Sequence, residues 1–219
     1  NFTNIQNLSG GTAADIFDFS AAGGAVTGRI DGGITAANTI KARTGVTNTW
    51  EMTGSNSGSL SVATPFTRYV AGFENIQVFT GAGNDTMNFS SAVNGAVEVK
   101  LGTAGVTGVN NFVGSTQVES TLVGENKDTT WVISGDDEGT LDGGAIHFSQ
   151  FKNITGGTAK DIFDFSTTNA GSIRGILVGG GGGSDPDRDT GAARFSRLWQ
   201  ALRVHRRGDE PGRQRGRGQ

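Results

Sequence analysis

The sequence predicts an all-β protein, a right-handed parallel β-helix (β-solenoid) built from repeated cassettes and incomplete at both ends. Three observations lead there. The stretch GGTAADIFDFS, Gly10 to Ser20, returns almost unchanged as GGTAKDIFDFS, Gly156 to Ser166, with a looser copy, TGAGNDTMNFS, at Thr80 to Ser90. Thirty-seven glycines against three prolines, falling at turns between short apolar stretches, is the composition of many short strands. Within the copies aromatic and polar residues alternate, Phe17 and Phe19 against Asp18 and Ser20, the period of a half-buried strand.

Taken in order, each unit opens on a phenylalanine, at Phe2, Phe73 and Phe151, followed two residues later by Asn4, Asn75 and Asn153. These asparagines read as hydrogen-bonded side chains in a bend. Past the glycine turn, Phe17, Met87 and Phe163, with Phe19, Phe89 and Phe165, read as a stacked interior. A second strand follows at Val26, Gly28 and Ile30 and closes on Asp31, Gly32 and Gly33. Its expected counterparts are Val97, Val99 and Leu101, then Ile173, Gly175 and Leu177.

Trp50 and Met52 lead to a turn at Gly54 and on to Gly58 and Leu60, and the pattern recurs as Trp131, Ile133, Gly135, Gly139 and Leu141. Both tryptophans are expected in the core, although at a groove rim they would suit stacking on a glycan. The cassettes so defined are 2–72, 73–150 and 151–183. Each holds about three strand-and-turn passages of roughly 24 residues, the length of one solenoid rung. Roughly seven or eight rungs, about 4.8 Å apart, would make a rod of about 35 Å. An antiparallel sandwich accounts for the short strands but not for the fixed order of the cassettes.

Composition narrows the function classes. There is no cysteine, hence no disulfide framework and no thiolate metal site. No apolar run is long enough to span a bilayer, and no signal peptide precedes the first repeat, so the chain reads as an interior piece of something longer. Charge divides it: residues 1–183 carry nine basic against 16 acidic side chains, whereas residues 184–219 carry nine arginines and five acids. In that tail Phe195, Leu198, Trp199 and Leu202 fall at helical spacing among arginines. Yet where D-G-G-x-x-x-x-D-T-L should recur the chain reads GGGGGSDPDRDTG, and codons for Asp185 to Thr190 shifted by one base can spell Thr-Leu-Thr-Gly-Thr. The tail therefore reads as out-of-frame translation, and nucleic acid is not an expected partner.

The order F-x-N-I, glycine turn, D-x-F-x-F, V-x-G-x-I-D-G-G and W-x-[IM]-[ST]-G with G-[ST]-L resembles the β-strand repeats of very large secreted bacterial surface proteins, the filamentous-haemagglutinin-like adhesins, over residues 1–183. That resemblance implies export to the bacterial cell surface and a stalk stacked on neighbouring repeats of a longer chain. Host or matrix glycans or proteins would be reached through other modules. A second likeness is to the RTX nonapeptide G-G-x-G-x-D-x-U-x, which holds calcium with aspartate and carbonyl oxygens. Gly81, Gly83, Asp85 and Met87 match it except at Thr80, and the other two copies have Ala13 and Ala159 in place of a glycine. This makes Asp15, Asp85 and Asp161 candidate calcium ligands. The copies stand singly rather than in tandem, and the plainer reading is that the three aspartates bond turn amides.

Parallel β-helices also carry polysaccharide-acting enzymes, whose chemistry needs carboxylates gathered once in a groove. Asp15 with Asp18 recurs as Asp161 with Asp164, and a scaffold repeats where an active site does not. The run Asp136, Asp137 and Glu138 reads as a solvated acidic turn, and His147 has no partner spacing for a metal or a nucleophile. No catalysis and no resident cofactor are expected.

Overall fold

The computed structural model describes residues 5–21, 23–34, 37–165 and 171–181. These lie in the first of two compact units, Asn1–Asp185; Phe2, Asn4 and the basic tail fall outside the described residues. The described protein is all-β. Its strands are β1 (Leu8–Ser9), β2 (Ile16–Asp18), β3 (Val26–Asp31), β4 (Thr39–Lys41), β5 (Asn48–Gly54), β6 (Ser57–Val62), β7 (Thr67–Glu74), β8 (Val78–Asn88) and β9 (Val97–Lys100). They continue as β10 (Val106–Val113), β11 (Ser120–Val123), β12 (Thr129–Gly135), β13 (Glu138–Leu141), β14 (Ile146–Ser149), β15 (Asn153–Thr155), β16 (Asp161–Asp164) and β17 (Leu177–Val178). Thirteen form one mixed sheet and four form a second, in the order β17-β15-β11-β9.

Most neighbours are parallel, and apolar side chains sit in register across them. Leu8 pairs with Ile30 and Ile30 with Phe73; Phe17 leads through Ile40 and Phe79 to Val106. Trp50 leads through Met87 and Phe112 to Phe148, and Val99 through Leu122 and Ile154 to Leu177. Trp131 pairs with Phe163. Trp50, Met87, Leu122, Trp131 and Ile154 are fully buried, so the ladders meet in one interior. Phe19, Phe73, Phe89 and Phe151 are buried there as well, while Phe17, Phe163 and Phe165 are half-buried against it.

An all-parallel stack is not what forms. Twice the chain folds back on itself, β5-β6-β7 and β12-β13-β14, as three-stranded antiparallel meanders. Ser55 and Asn56 separate the paired Gly54 and Ser57, and so short a turn returns the strand antiparallel. Gly58 and Gly139 sit across from Phe73 and Phe148, whose rings lie 3.0 Å from where a Cβ would stand. Each ring thereby reaches the tryptophan of its own meander edge-on, with centroids 6.3 Å (Trp50–Phe73) and 6.0 Å (Trp131–Phe148) apart.

Those pairings move two expected correspondences. The partner of Phe73 in the next unit is Phe148 rather than Phe151, so a cassette begins at 148. Asn75 is matched by Gln150, both in the left-handed region at φ +56° and +62°. Asn153 instead lies in β15 and accepts the Ile176 N–H (2.8 Å), as Asn7 accepts the Arg29 N–H (2.7 Å). In the middle unit Val106, not Leu101, takes the place of Ile30, because an added turn at Gly102–Gly105 follows Leu101. Val97 and Val99 pair instead with Ser120 and Leu122.

The packing at Gly139 is testable. A methyl group there would meet the Val132 carbonyl as well as the Phe148 ring, whereas Gly72 has nothing within 4 Å. Gly139→Ala is expected to lower stability by about 1–3 kcal/mol in urea unfolding and Gly72→Ala by much less.

Candidate functional site

The repeated aspartates are the residues in this chain with the most chemistry to offer, and each sits in the same local frame. The carboxylate lies against the bare Cα of the turn's first glycine: a Cβ on Gly10, Gly81 or Gly156 would fall within 3 Å of Oδ2 of Asp15, Asp85 or Asp161. In the first two turns the amide after that glycine donates to the carboxylate, Gly11 N–H to Asp15 Oδ2 at 2.7 Å and Ala82 N–H to Asp85 Oδ2 at 3.0 Å. The carbonyl of a second glycine, Gly32, Gly108 or Gly179, closes over the turn from the adjacent strand.

Beyond this frame the three sites differ. Asp85 is fully buried and anchors a polar network. The Asn48 N–H donates to its Oδ1 at 2.7 Å, and the Asn48 amide reaches both carboxylate oxygens at 3.1 Å. The Tyr69 hydroxyl donates to Asn48 Oδ1 at 2.8 Å and accepts the Arg43 N–H at 3.2 Å, and the Arg43 guanidinium lies 4.2 Å from the centre of the Tyr69 ring. Burial pushes the Asp85 carboxyl above its usual range, opposed by the Asn48 and Ala82 amides, the Asn48 side chain and the Trp50 indole. That indole N–H is buried beside Asp85 without a well-formed hydrogen bond.

At Asp161 the indole contact is complete. Trp131 Nε1 donates to Asp161 Oδ1 at 2.9 Å, and the Trp131 ring stacks on Phe163 with centroids 5.7 Å apart and planes 23° from parallel. Both tryptophans are enclosed and offer no ring face at a groove rim. Asp15 is half-buried: its N–H donates to Asn38 Oδ1 at 3.0 Å, and no indole stands over it among the described residues. Sequence reasoning picked out the aspartates but missed Asn48, Tyr69 and Arg43, whose one signal is that Asn48 begins the strand that bears Trp50.

The acidic run departs from expectation at one residue. Asp136 and Glu138 are exposed, but Asp137 is fully buried with φ +56°. Its carboxylate accepts the Arg174 N–H at 2.7 Å and the Arg174 Nε–H at 2.6 Å. The middle carboxylate of the turn thereby closes on a bend 37 residues later. Among the described residues no three His, Asp or Glu side chains gather as a metal site. A hollow of about 320 Å³ lies over Phe79, Met87, Val99 and Val106, with Glu98 and Lys100 paired at its rim at 3.0 Å.

Two measurements check this geometry. Trp131→Phe keeps the ring stack but removes the donor to a carboxylate, and is expected to cost about 2 kcal/mol in urea unfolding. A carboxyl whose folded pKa is raised binds a proton more readily in the folded state, so its contribution to stability falls as pH rises from the unfolded value of 3.8 through the folded one. The stability of the parent relative to Asp85→Asn is therefore expected to decline across that window, read as urea midpoints at successive pH values. No family model, curated protein or solved structure matches the chain.

Proposed function

We propose that this chain is a structural stalk segment of a large exported bacterial surface protein, a coil of stacked strand rungs that spaces binding modules carried elsewhere in a longer chain. The observation that carries this reading is the regular advance of the parallel ladders. Leu8 to Ile30, Phe17 to Ile40, Val99 to Leu122 and Ile154 to Leu177 each step 22 or 23 residues. The step from Phe79 to Val106, past the added turn at Gly102–Gly105, is 27 residues, and steps that cross a meander are longer still, as from Asn48 to Asp85, 37 residues on. A right-handed β-solenoid interrupted by two hairpin inserts produces this pattern, since parallel strands joined by crossovers in one sheet adopt that hand. Cell-surface localisation and adhesion belong to the same reading through the repeat order of residues 1–183.

The use of the aspartates supports a scaffold. Asp15 and Asp85 satisfy amides of their own turns, which a stalk needs at every turn and a catalytic pair does not. Asp18 likewise accepts the Ser20 N–H at 2.9 Å and faces Lys41 at 3.4 Å. In this reading the carboxylates replace calcium as the element that closes each glycine turn. Thermal unfolding followed by circular dichroism is expected to give one cooperative β-rich transition whose midpoint is the same in millimolar calcium and in chelator. A calcium-dependent gain of β signal would overturn it and make Asp15, Asp85 and Asp161 ligands of an RTX-like module.

A further inference from the structure

The three aspartate turns are one structural position met three times, and what precedes each of them differs. β8 is flanked on its earlier side by β4 and β5, and β15 and β16 by β11 and β12. Among the described residues β1 and β2, which hold the same place in the first cassette, pair with β3 and β4 alone, and their earlier edge has no partner strand. Leu8 there is half-buried, whereas its counterparts Phe79 and Ile154 are buried. Asp15 Oδ2 takes the Gly11 amide, while among the described residues Oδ1 receives no donor; on Asp161 the matching oxygen takes the Trp131 indole.

We infer that the open edge of β1 and β2 is a docking site for a strand pair ending in a tryptophan hairpin, of the kind formed by β11 and β12, and that Asp15 recognises it by accepting the indole N–H. The occupant is a further cassette of this sequence class, because tryptophan strands already pair in this register inside the chain, Trp50 with Met87 and Trp131 with Phe163, and in the second pair the indole N–H is donated to the aspartate. This rests on the stalk reading and gives it a specific joint. The incoming strand would carry Thr-Thr-Trp or Asn-Thr-Trp, lay its ring on Phe17, cover Leu8 with the residue corresponding to Leu122, and place its indole nitrogen on Asp15 Oδ1. A strand without tryptophan in that register would leave a half-buried carboxylate unpaired.

The test adds that cassette. Residues 73–147 are duplicated ahead of Phe2, and the extended chain is compared with the parent. In the parent, Asp15→Asn should leave the melting temperature nearly unchanged. In the extended chain it should lower it by about 5 °C, the loss of one hydrogen bond to a charged group in a chain of this size. Trp131→Phe in the added copy should give a similar loss, and the two changes together should cost no more than either alone. Small-angle scattering on the same samples reads length, which should grow by about 4.8 Å for each added rung. Growth in length with equal effects of Asp15→Asn in both chains would overturn the tryptophan joint and leave the stalk reading intact. No growth in length would overturn both.

Discussion

Everything in this fold depends on a carboxylate set against a glycine that has no Cβ. At Gly10, Gly81 and Gly156 a side chain of any size would collide with the aspartate that closes the turn and, from the other side, with the carbonyl of the glycine in the adjacent strand. Two backbone segments and one carboxylate thus meet in a space that a single methyl group would fill. Hydrogen bonds to the carboxylate offset its loss of water, and at Asp85 the offset is incomplete, which is why that carboxyl holds its proton more readily than usual. The apolar ladders follow from this turn, since it fixes where the next strand must begin and therefore which side chains face inward.

The two meanders set antiparallel strands among parallel ones in the same sheet. Only the middle strands, β6 and β13, are antiparallel to both neighbours; the outer strands pair inward with them and outward with parallel partners, β7 with β3, β5 with β8, β14 with β10 and β12 with β16. The glycines at 58 and 139 are the hinge of that arrangement, admitting Phe73 and Phe148 to the tryptophans. The mixed sheet is a consequence of these inserts, and the parallel pairs on either side keep their regular advance.

Much of this was legible in the residues. The D-x-F-x-F stretches mark β2 and β16 and the looser D-x-M-x-F copy marks the end of β8, with Phe19, Met87 and Phe89 buried and Phe17, Phe163 and Phe165 half-buried. Trp50 and Trp131 occupy equivalent strands, as their flanking glycines imply. What misled was identity of letters. Phe151-Lys152-Asn153-Ile154 spells the same pattern as Phe73-Glu74-Asn75-Ile76, yet the equivalent segment is Phe148-Ser149-Gln150-Phe151, because the position demands a left-handed turn two residues after a ring rather than a particular amide. Asp137 was illegible for a different reason: its two acidic neighbours are exposed, and the guanidinium that claims it is 37 residues away. Parallel and antiparallel neighbours also share one alternation, so periodicity alone did not reveal the meanders.

The chain contains a single tyrosine, and it is the one at the centre of the buried network. Burial raises the Tyr69 hydroxyl well beyond the alkaline range in which a solvent-exposed phenol titrates, against the opposing pull of the Arg43 amide and guanidinium. The ultraviolet signature of tyrosinate is therefore a gauge of one place in the molecule, the seam where the Asp85 turn, the Asn48 strand and the first meander meet. The protein carries its own unlabelled optical reporter of whether that seam is open or shut.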